Sequence, residues 1–185
     1  MRMIVGISGA SGFPLAVCLL KELKTKQDVE THLVFTSGAE LTARQEYGME
    51  PDEIRELADV NYNNHDIGAA IASGSFLTDG MIILPCSMKT VAGIADGYSD
   101  NLLLRAADVT IKEQRKLVLA VRDTPMSSIH LENMLKLSRL PNVFLMPPLV
   151  TYYQRPQSME DMERQIVGRL LQPFGVEMEG FRRWS

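Results

Sequence analysis

The sequence predicts an α/β fold: a three-layer sandwich with a mainly parallel central sheet covered on both faces by helices. Three observations carry this. Short apolar runs recur at residues 3–7, 31–36, 81–85, 117–121 and 144–146, and amphipathic stretches separate them. The runs at 81–85 and 117–121 are apolar at every position, as strands buried on both faces of a parallel sheet must be. The runs beginning at Met3 and Met81 each lead through small or hydroxyl-bearing residues into a helix, which gives the chain a Rossmann-like opening.

Composition limits the class of function. With 185 residues, 45% hydrophobic and 23% charged, the chain can bury one good core, so residues 1–185 read as a single domain with a C-terminal tail from about 173. A formal charge of -4 argues against a nucleic-acid partner, which needs a dense basic face. No apolar run approaches the roughly 18 residues of a membrane span, and the opening run is too short and glycine-rich for a signal peptide. A cytoplasmic protein with no membrane partner is therefore expected. Cys18, Cys86 and three scattered histidines show no metal-ligand spacing, so no metal site is expected and both thiols should stay reduced.

The first strand breaks at Ser8 and passes through Gly9-Ala10-Ser11-Gly12 into a helix with Leu15, Cys18, Leu19 and Leu23 on one face. Gly9 and Gly12 suit positive φ and close approach to a ligand, and the helix-start N–H groups with the Ser11 hydroxyl form an expected anion site. Pro14 fits the first turn. The spacing is not G-x-G-x-x-G, and the second strand ends in Ser37 rather than an acidic residue, so a mononucleotide fits better than a dinucleotide. Ser37 reads both as a ligand donor at a strand's carboxyl end and as an N-cap for a helix from about Ala39. Glu46 closes that helix and, taken alone, reads as a solvated carboxylate.

Residues 51–59 read as a short helix with an acidic first turn, and 61–76 as a loop. After the strand at 81–85, Cys86-Ser87-Met88-Lys89-Thr90 opens a second strand-to-helix junction with small hydroxyls; Cys86 reads as packing rather than as a nucleophile. A helix over 100–115 carries Arg105 and Lys112. Arg122 and Asp123 follow the next strand, where open α/β sheets bind ligands. Ser127-Ser128 begins a helix over 129–137 whose His130 and Glu132 suggest acid-base chemistry but are explained as well by a hydroxyl cap and a polar intersubunit contact. A helix over 158–171 carries Arg169, and residues 181–185 read as a disordered terminus.

Gly9-Ala10-Ser11-Gly12, Pro85-Cys86-Ser87-Met88-Lys89-Thr90, Arg105-Ala106-Ala107-Asp108-Val109, Lys112-Glu113 and the run from Ser127 to Leu135 together resemble the UbiX flavin prenyltransferase family. The resemblance spans Met3 to about Gly175. It implies a flavoprotein fold, a homododecamer with sites completed by neighbouring subunits, and reduced FMN bound as a substrate. Family members join the dimethylallyl group of dimethylallyl monophosphate to FMN without a metal and supply a partner decarboxylase of the UbiD type. By this resemblance Gly9, Ala10, Ser11, Ser37, Ser87, Met88, Lys89, Thr90 and Arg122 match flavin-binding positions. Glu46, Lys112, Tyr153 and Arg169 match positions around the prenyl phosphate and are the expected catalytic residues, and Trp184 matches an aromatic residue of the closing tail.

Two residues depart from the pattern. Asp123 stands where relatives often have Glu, so it reaches less far toward the prenyl phosphate. Gly38 replaces a common Lys, which either weakens the hold on the flavin phosphate or leaves it to backbone donors. The implied chemistry uses Lys112, Arg169 and Arg122 to activate a lone phosphate as leaving group, with Tyr153 donating a hydrogen bond and Trp184 sheltering the developing cation. Either Glu46 or the departing phosphate moves the proton. Two rivals are an FMN-dependent cysteine decarboxylase, which needs a histidine beside the flavin, and a non-catalytic flavin-carrying subunit of a hydroxybenzoate decarboxylase.

Overall fold

The computed structural model describes residues 1–183. Its centre is β1 (Arg2–Ile7), which pairs in parallel with β2 (Glu30–Phe35) on one side and β4 (Gly80–Cys86) on the other. β3 (Val60–Tyr62), β5 (Lys116–Val121) and β6 (Val143–Leu145) complete a six-stranded sheet, all parallel, in the order β3-β2-β1-β4-β5-β6. The winding direction reverses between β1 and β4. In an open α/β sheet that reversal leaves a crevice beyond the strands' carboxyl ends.

Alternation along the strands builds two cores. Met3, Val5, Ile7, Leu33, Ile82 and Val118 pack with α1 (Phe13–Lys24) and α7 (Met159–Leu171) on one face. Ile4, Val34, Met81, Ile83, Leu117 and Leu119 pack with α4 (Met88–Ala95), α5 (Leu102–Lys112) and α6 (Ser128–Ser138) on the other. Every residue of β4 is buried, which is why its sequence shows no alternation. Each fully buried aliphatic side chain contributes about 1.5–3 kcal/mol, so the sheet is rigid where the loops leave it.

Several boundaries differ from the sequence reading. Residues 60–62 form an edge strand in register with His32 to Val34, not loop. Three residues with exposed Asn61 in the middle are too short to show alternation. α2 (Ser37–Glu46) starts earlier than expected, and its N-cap is Thr36, whose hydroxyl accepts from the Ala39 N–H at 3.2 Å. Ser37 is thus the first helical residue. α3 (Pro51–Arg55) stops short of Asp59, whose carboxylate accepts from the N–H and hydroxyl of Thr31 at 2.7 and 2.8 Å. The C-terminal segment folds back on α7: the Phe181 ring covers Gly168, where a Cβ would lie 2.6 Å from it, and Gln165 donates to the Gly180 carbonyl at 2.9 Å. Terminal disorder was the wrong expectation for residues up to 183. An apolar ring seated on a helix glycine outweighs the entropy of a short tail.

Candidate active site

At the β1/β4 reversal lies a cleft of about 510 Å³, walled by the carboxyl ends of three strands. Ser8 and Gly9 come from β1, Thr36 to Gly38 from β2, and Ser87, Lys89 and Thr90 from β4. The edges are tied together before any ligand arrives. Buried Ser8 donates its hydroxyl to the Pro85 carbonyl at 3.0 Å and accepts from the Ser87 N–H at 2.8 Å. Ser87 caps α4 by accepting from the Thr90 N–H, and its hydroxyl lies 3.1 Å from that of Thr90. Met88, expected at the flavin, is buried in the second core, while Lys89 is exposed at the cleft.

Gly9 has no positive φ; its role is close approach. A Cβ there would stand 2.9 Å from the Gly38 backbone, and one on Gly38 would stand 3.3 Å from the Gly9 Cα. The two loops touch through their main chains, and the position where a lysine was the usual residue is part of that contact. Of Gly9, Gly12 and Gly38, only Gly12 takes positive φ, 116° at the N-cap of α1.

The helix-start donors of α1 are not open. Glu46 Oε2 accepts from the N–H groups of both Gly12 and Phe13 at 2.9 Å, and the Ser11 hydroxyl also bonds to this carboxylate. Burial pushes the Glu46 pKa up, but the hydrogen bonds from Ser11, Phe13 and Gly12 and the nearby Arg122 charge outweigh it and hold the carboxyl below its usual range. Glu46 is exposed, as a solvated carboxylate would be, but it is also bonded to main-chain donors, so the expected anion site at these donors is filled by a side chain. Arg122 lies beside it at the end of β5, where its N–H donates to the Cys86 carbonyl at 3.0 Å.

A second pocket of about 420 Å³ opens between β6, α7 and the returning tail. Met146, Leu149, Ile166, Leu170 and Phe181 supply apolar wall, and Tyr153, Arg169, Arg182 and Arg183 supply polar groups. Tyr153 is 73% exposed and Arg169 donates to the Gln172 side chain. Sequence reasoning missed Arg182 and Arg183, because only the folded tail brings them here. Trp184 lies outside the described residues.

Lys112 is not with this group. α5 runs back from the carboxyl edge, where its Leu102 N–H donates to the Asn64 carbonyl, so its last residue Lys112 reaches the amino edge. There it pairs with Glu113, and a Cβ on Gly74 would stand 2.7 Å from its Nζ. Asp123 accepts from the Thr124 N–H at 2.8 Å, a local turn contact beside Arg122. His130 is committed to capping α6: Ser127 accepts from its N–H at 3.2 Å, and its Nδ1 lies 3.4 Å from the Ser127 nitrogen. Cys86 is fully buried and its thiol is pushed well above the usual range by burial, which suits packing.

Fold and cleft define a class, an α/β domain built to hold an anionic mononucleotide at its strand ends, and the family model described as Flavoprotein matches residues 1–170. Flavin prenyltransferase LpdB of Lactiplantibacillus plantarum is 51% identical over 184 residues, covering all of this chain and 98% of that protein. A dodecameric FMN-dependent UbiX-like decarboxylase from Escherichia coli O157:H7 has a TM-score of 0.97 at 49% identity, with 100% of both chains covered. AnUbiX (PadA1), solved in complex with FMN and dimethylallyl pyrophosphate, has a TM-score of 0.96 at 44% identity, covering 100% of this chain and 97% of its own. The chain belongs to the Flavoprotein family and, within it, to the UbiX-like flavin prenyltransferases.

Proposed function

We propose that this chain is a flavin prenyltransferase that joins the dimethylallyl group of dimethylallyl monophosphate to reduced FMN, and that the prenylated FMN serves a UbiD-type aromatic acid decarboxylase. The observation that carries the reading is the second pocket. An apolar wall matched to a five-carbon chain ends in Arg169 and Tyr153, a pairing suited to an allyl group bearing one phosphate. The strand-end cleft fits the other substrate. Hydroxyls of Ser37, Ser87 and Thr90, the Lys89 ammonium and the close Gly9–Gly38 backbones offer donors to a flavin phosphate with room for its ribityl chain.

The residues act on the leaving group. Arg169 and Tyr153 bind and orient the prenyl phosphate, and their positioned donors stabilise charge that develops as its C–O bond breaks. Lys112 has the right chemistry but stands at the opposite edge of its own subunit. It would add its charge to the site of a neighbouring subunit, which makes the enzyme a homo-oligomer. Bound reduced FMN supplies the electron-rich nucleophile.

Replacing Lys112 or Arg169 with Met should leave FMN bound while prenyl transfer falls roughly thirty-fold to a thousand-fold, the effect of losing one charge-assisted contact of about 2–4 kcal/mol. The double variant should lose less than the product of the single effects, since both act on one phosphate. Flavin mass after anaerobic incubation with reduced FMN and dimethylallyl monophosphate is the readout. Wild-type rates in both single variants would overturn the assignment, and a fully active monomer by light scattering would overturn the shared site.

A further inference from the structure

We propose that His65 is a binding residue for the phosphate of FMN: its imidazolium, with the Lys89 ammonium, supplies the positive charge that a bound dianion meets in the strand-end cleft. The inference rests on the flavin reading of that cleft. Lys89, His65 and Asp100 are the charged or titratable side chains that line it, so without His65 its one lysine is offset by its one carboxylate. A phosphate monoester carries close to two negative charges at neutral pH. Hydroxyls and main-chain N–H groups can bond to its oxygens but leave that charge unbalanced, and a histidine beside them restores the balance.

The fold treats this histidine unlike the other two. His32 is buried against Tyr62 and Glu30, and His130 caps α6. The His65 ring is exposed and has no hydrogen-bond or ion-pair partner among the described residues, yet its main chain is fixed. Asn63 Oδ1 accepts from the His65 N–H at 3.0 Å, and the His65 carbonyl accepts from the Ile67 N–H at 3.1 Å. Asn64 ties the same turn to the start of α5, its carbonyl accepting from Leu102 at 2.8 Å and its side chain from Leu103 at 3.0 Å. A fixed backbone carrying an uncommitted ring loses little conformational entropy when a ligand arrives. His65, Asn64 and Ser37 also line an adjoining pocket of about 460 Å³, which sets the ring at the Ser37 end of the cleft. The other charges on that side are engaged. Arg55 pairs with Glu40 and Asp52 and lies over the Phe35 ring, the Tyr62 hydroxyl meets His32, and Asp66 accepts from the Gly68 N–H at 3.1 Å. Across the cleft, Asp100 accepts from the Asn101 side-chain amide at 2.9 Å.

Histidine changes charge between about pH 5 and 8, so this role carries a pH signature that a merely structural one lacks. In the assembled full-length protein, His65→Gln should weaken FMN binding roughly tenfold at pH 6.5 and less than about threefold at pH 8.5, read by flavin fluorescence. Taking the ratio of variant to wild type at each pH cancels the titration of the phosphate itself. Riboflavin, which lacks the phosphate, should bind both proteins equally. His65→Lys should hold FMN at pH 8.5 at least as tightly as the wild type, because its charge persists there. Equal FMN affinity of His65→Gln and wild type at pH 6.5 would overturn the proposal. So would an equal loss of riboflavin affinity, which marks a residue that only shapes the cleft. Should the Gln variant fail to assemble, the Lys variant decides alone, and weaker FMN binding than wild type at pH 8.5 would count against His65. None of these measurements uses the prenyl substrate, so a wild type that binds FMN but makes no prenylated product would overturn the prenyltransferase function, while the binding results still decide the role of His65.

Discussion

The two edges of the sheet use their polar groups differently. At the amino edge most are charged groups paired within the protein. Arg2 pairs with Glu30 at 3.0 Å and lies over the Phe76 ring at 4.9 Å, and its N–H donates to Asp79 at 2.7 Å. Buried His32 lies 2.9 Å from the Tyr62 hydroxyl and 3.2 Å from Glu30. Arg115 donates to the carbonyls of Gly74 and Phe76 at 2.7 and 2.9 Å and to Thr78 at 3.2 Å. At the carboxyl edge, the hydroxyls of Ser37, Ser87 and Thr90 line an open cleft together with Lys89, His65 and Asp100. Groups that already have partners stabilise the fold, and groups that face a cleft can stabilise a ligand. Lys112 is the test of this rule, since it lies at the amino edge, paired with Glu113, and the proposed function gives it a catalytic role in a neighbouring subunit.

The contrast can be broken most severely at the β1–α1 loop. Ser11→Glu sets a second carboxylate against Glu46 and should distort the β1–α1 loop beside the strand-end cleft, so FMN affinity should fall by roughly a hundredfold or more. Flavin content equal to wild type in the folded variant would mean that this edge does not hold the phosphate.

Smaller effects test each edge alone. Gly9→Ala should cost about 1–3 kcal/mol in urea unfolding, because its Cβ meets main-chain atoms that cannot move aside, and Gly38→Ala should cost less than about 1 kcal/mol. Arg115→Met should cost about 1–3 kcal/mol of stability and leave the FMN dissociation constant unchanged. A parallel loss of FMN affinity would show that the edges are coupled. Ser87→Ala should do the reverse, removing a cap worth about 1 kcal/mol while measurably weakening FMN.

The smallest effect is a pH dependence confined to the amino edge. Burial outweighs the attraction of Glu30 and holds the His32 pKa below its ordinary value, so the unfolded chain takes up this proton first as pH falls. Stability should therefore decline as pH drops below about 6.5 toward the folded value. His32→Gln should flatten that decline in urea midpoints, and FMN affinity should not follow it. An unchanged slope would assign the titration to another group.

Much of the fold was legible because strand and helix signals are local. The unbroken apolar runs at 81–85 and 117–121 and the glycine loop after Ile7 each report their own environment, and they correctly placed β4, β5 and the first strand-to-helix junction. The edge strand Val60–Tyr62 escaped because three residues carry too little periodicity. Its pairing with His32 to Val34 is what makes it a strand.

The sequence by itself determined the parallel α/β sheet, the hydroxyl-rich strand ends and the family, since these rest on residue type, local spacing and contiguous motifs. Only the tertiary structure decided which donors a ligand can use. That Glu46 fills the helix start at Gly12, that Gly9 serves contact with Gly38, and that the tail brings Arg182 and Arg183 to Arg169 depend on residues far apart in the chain. The placement of Lys112 at the opposite edge follows from the direction in which α5 crosses the sheet. Hydrogen bonds and close backbone contacts act over a few ångströms of space, and only the packed core fixes which distant residues come within that range.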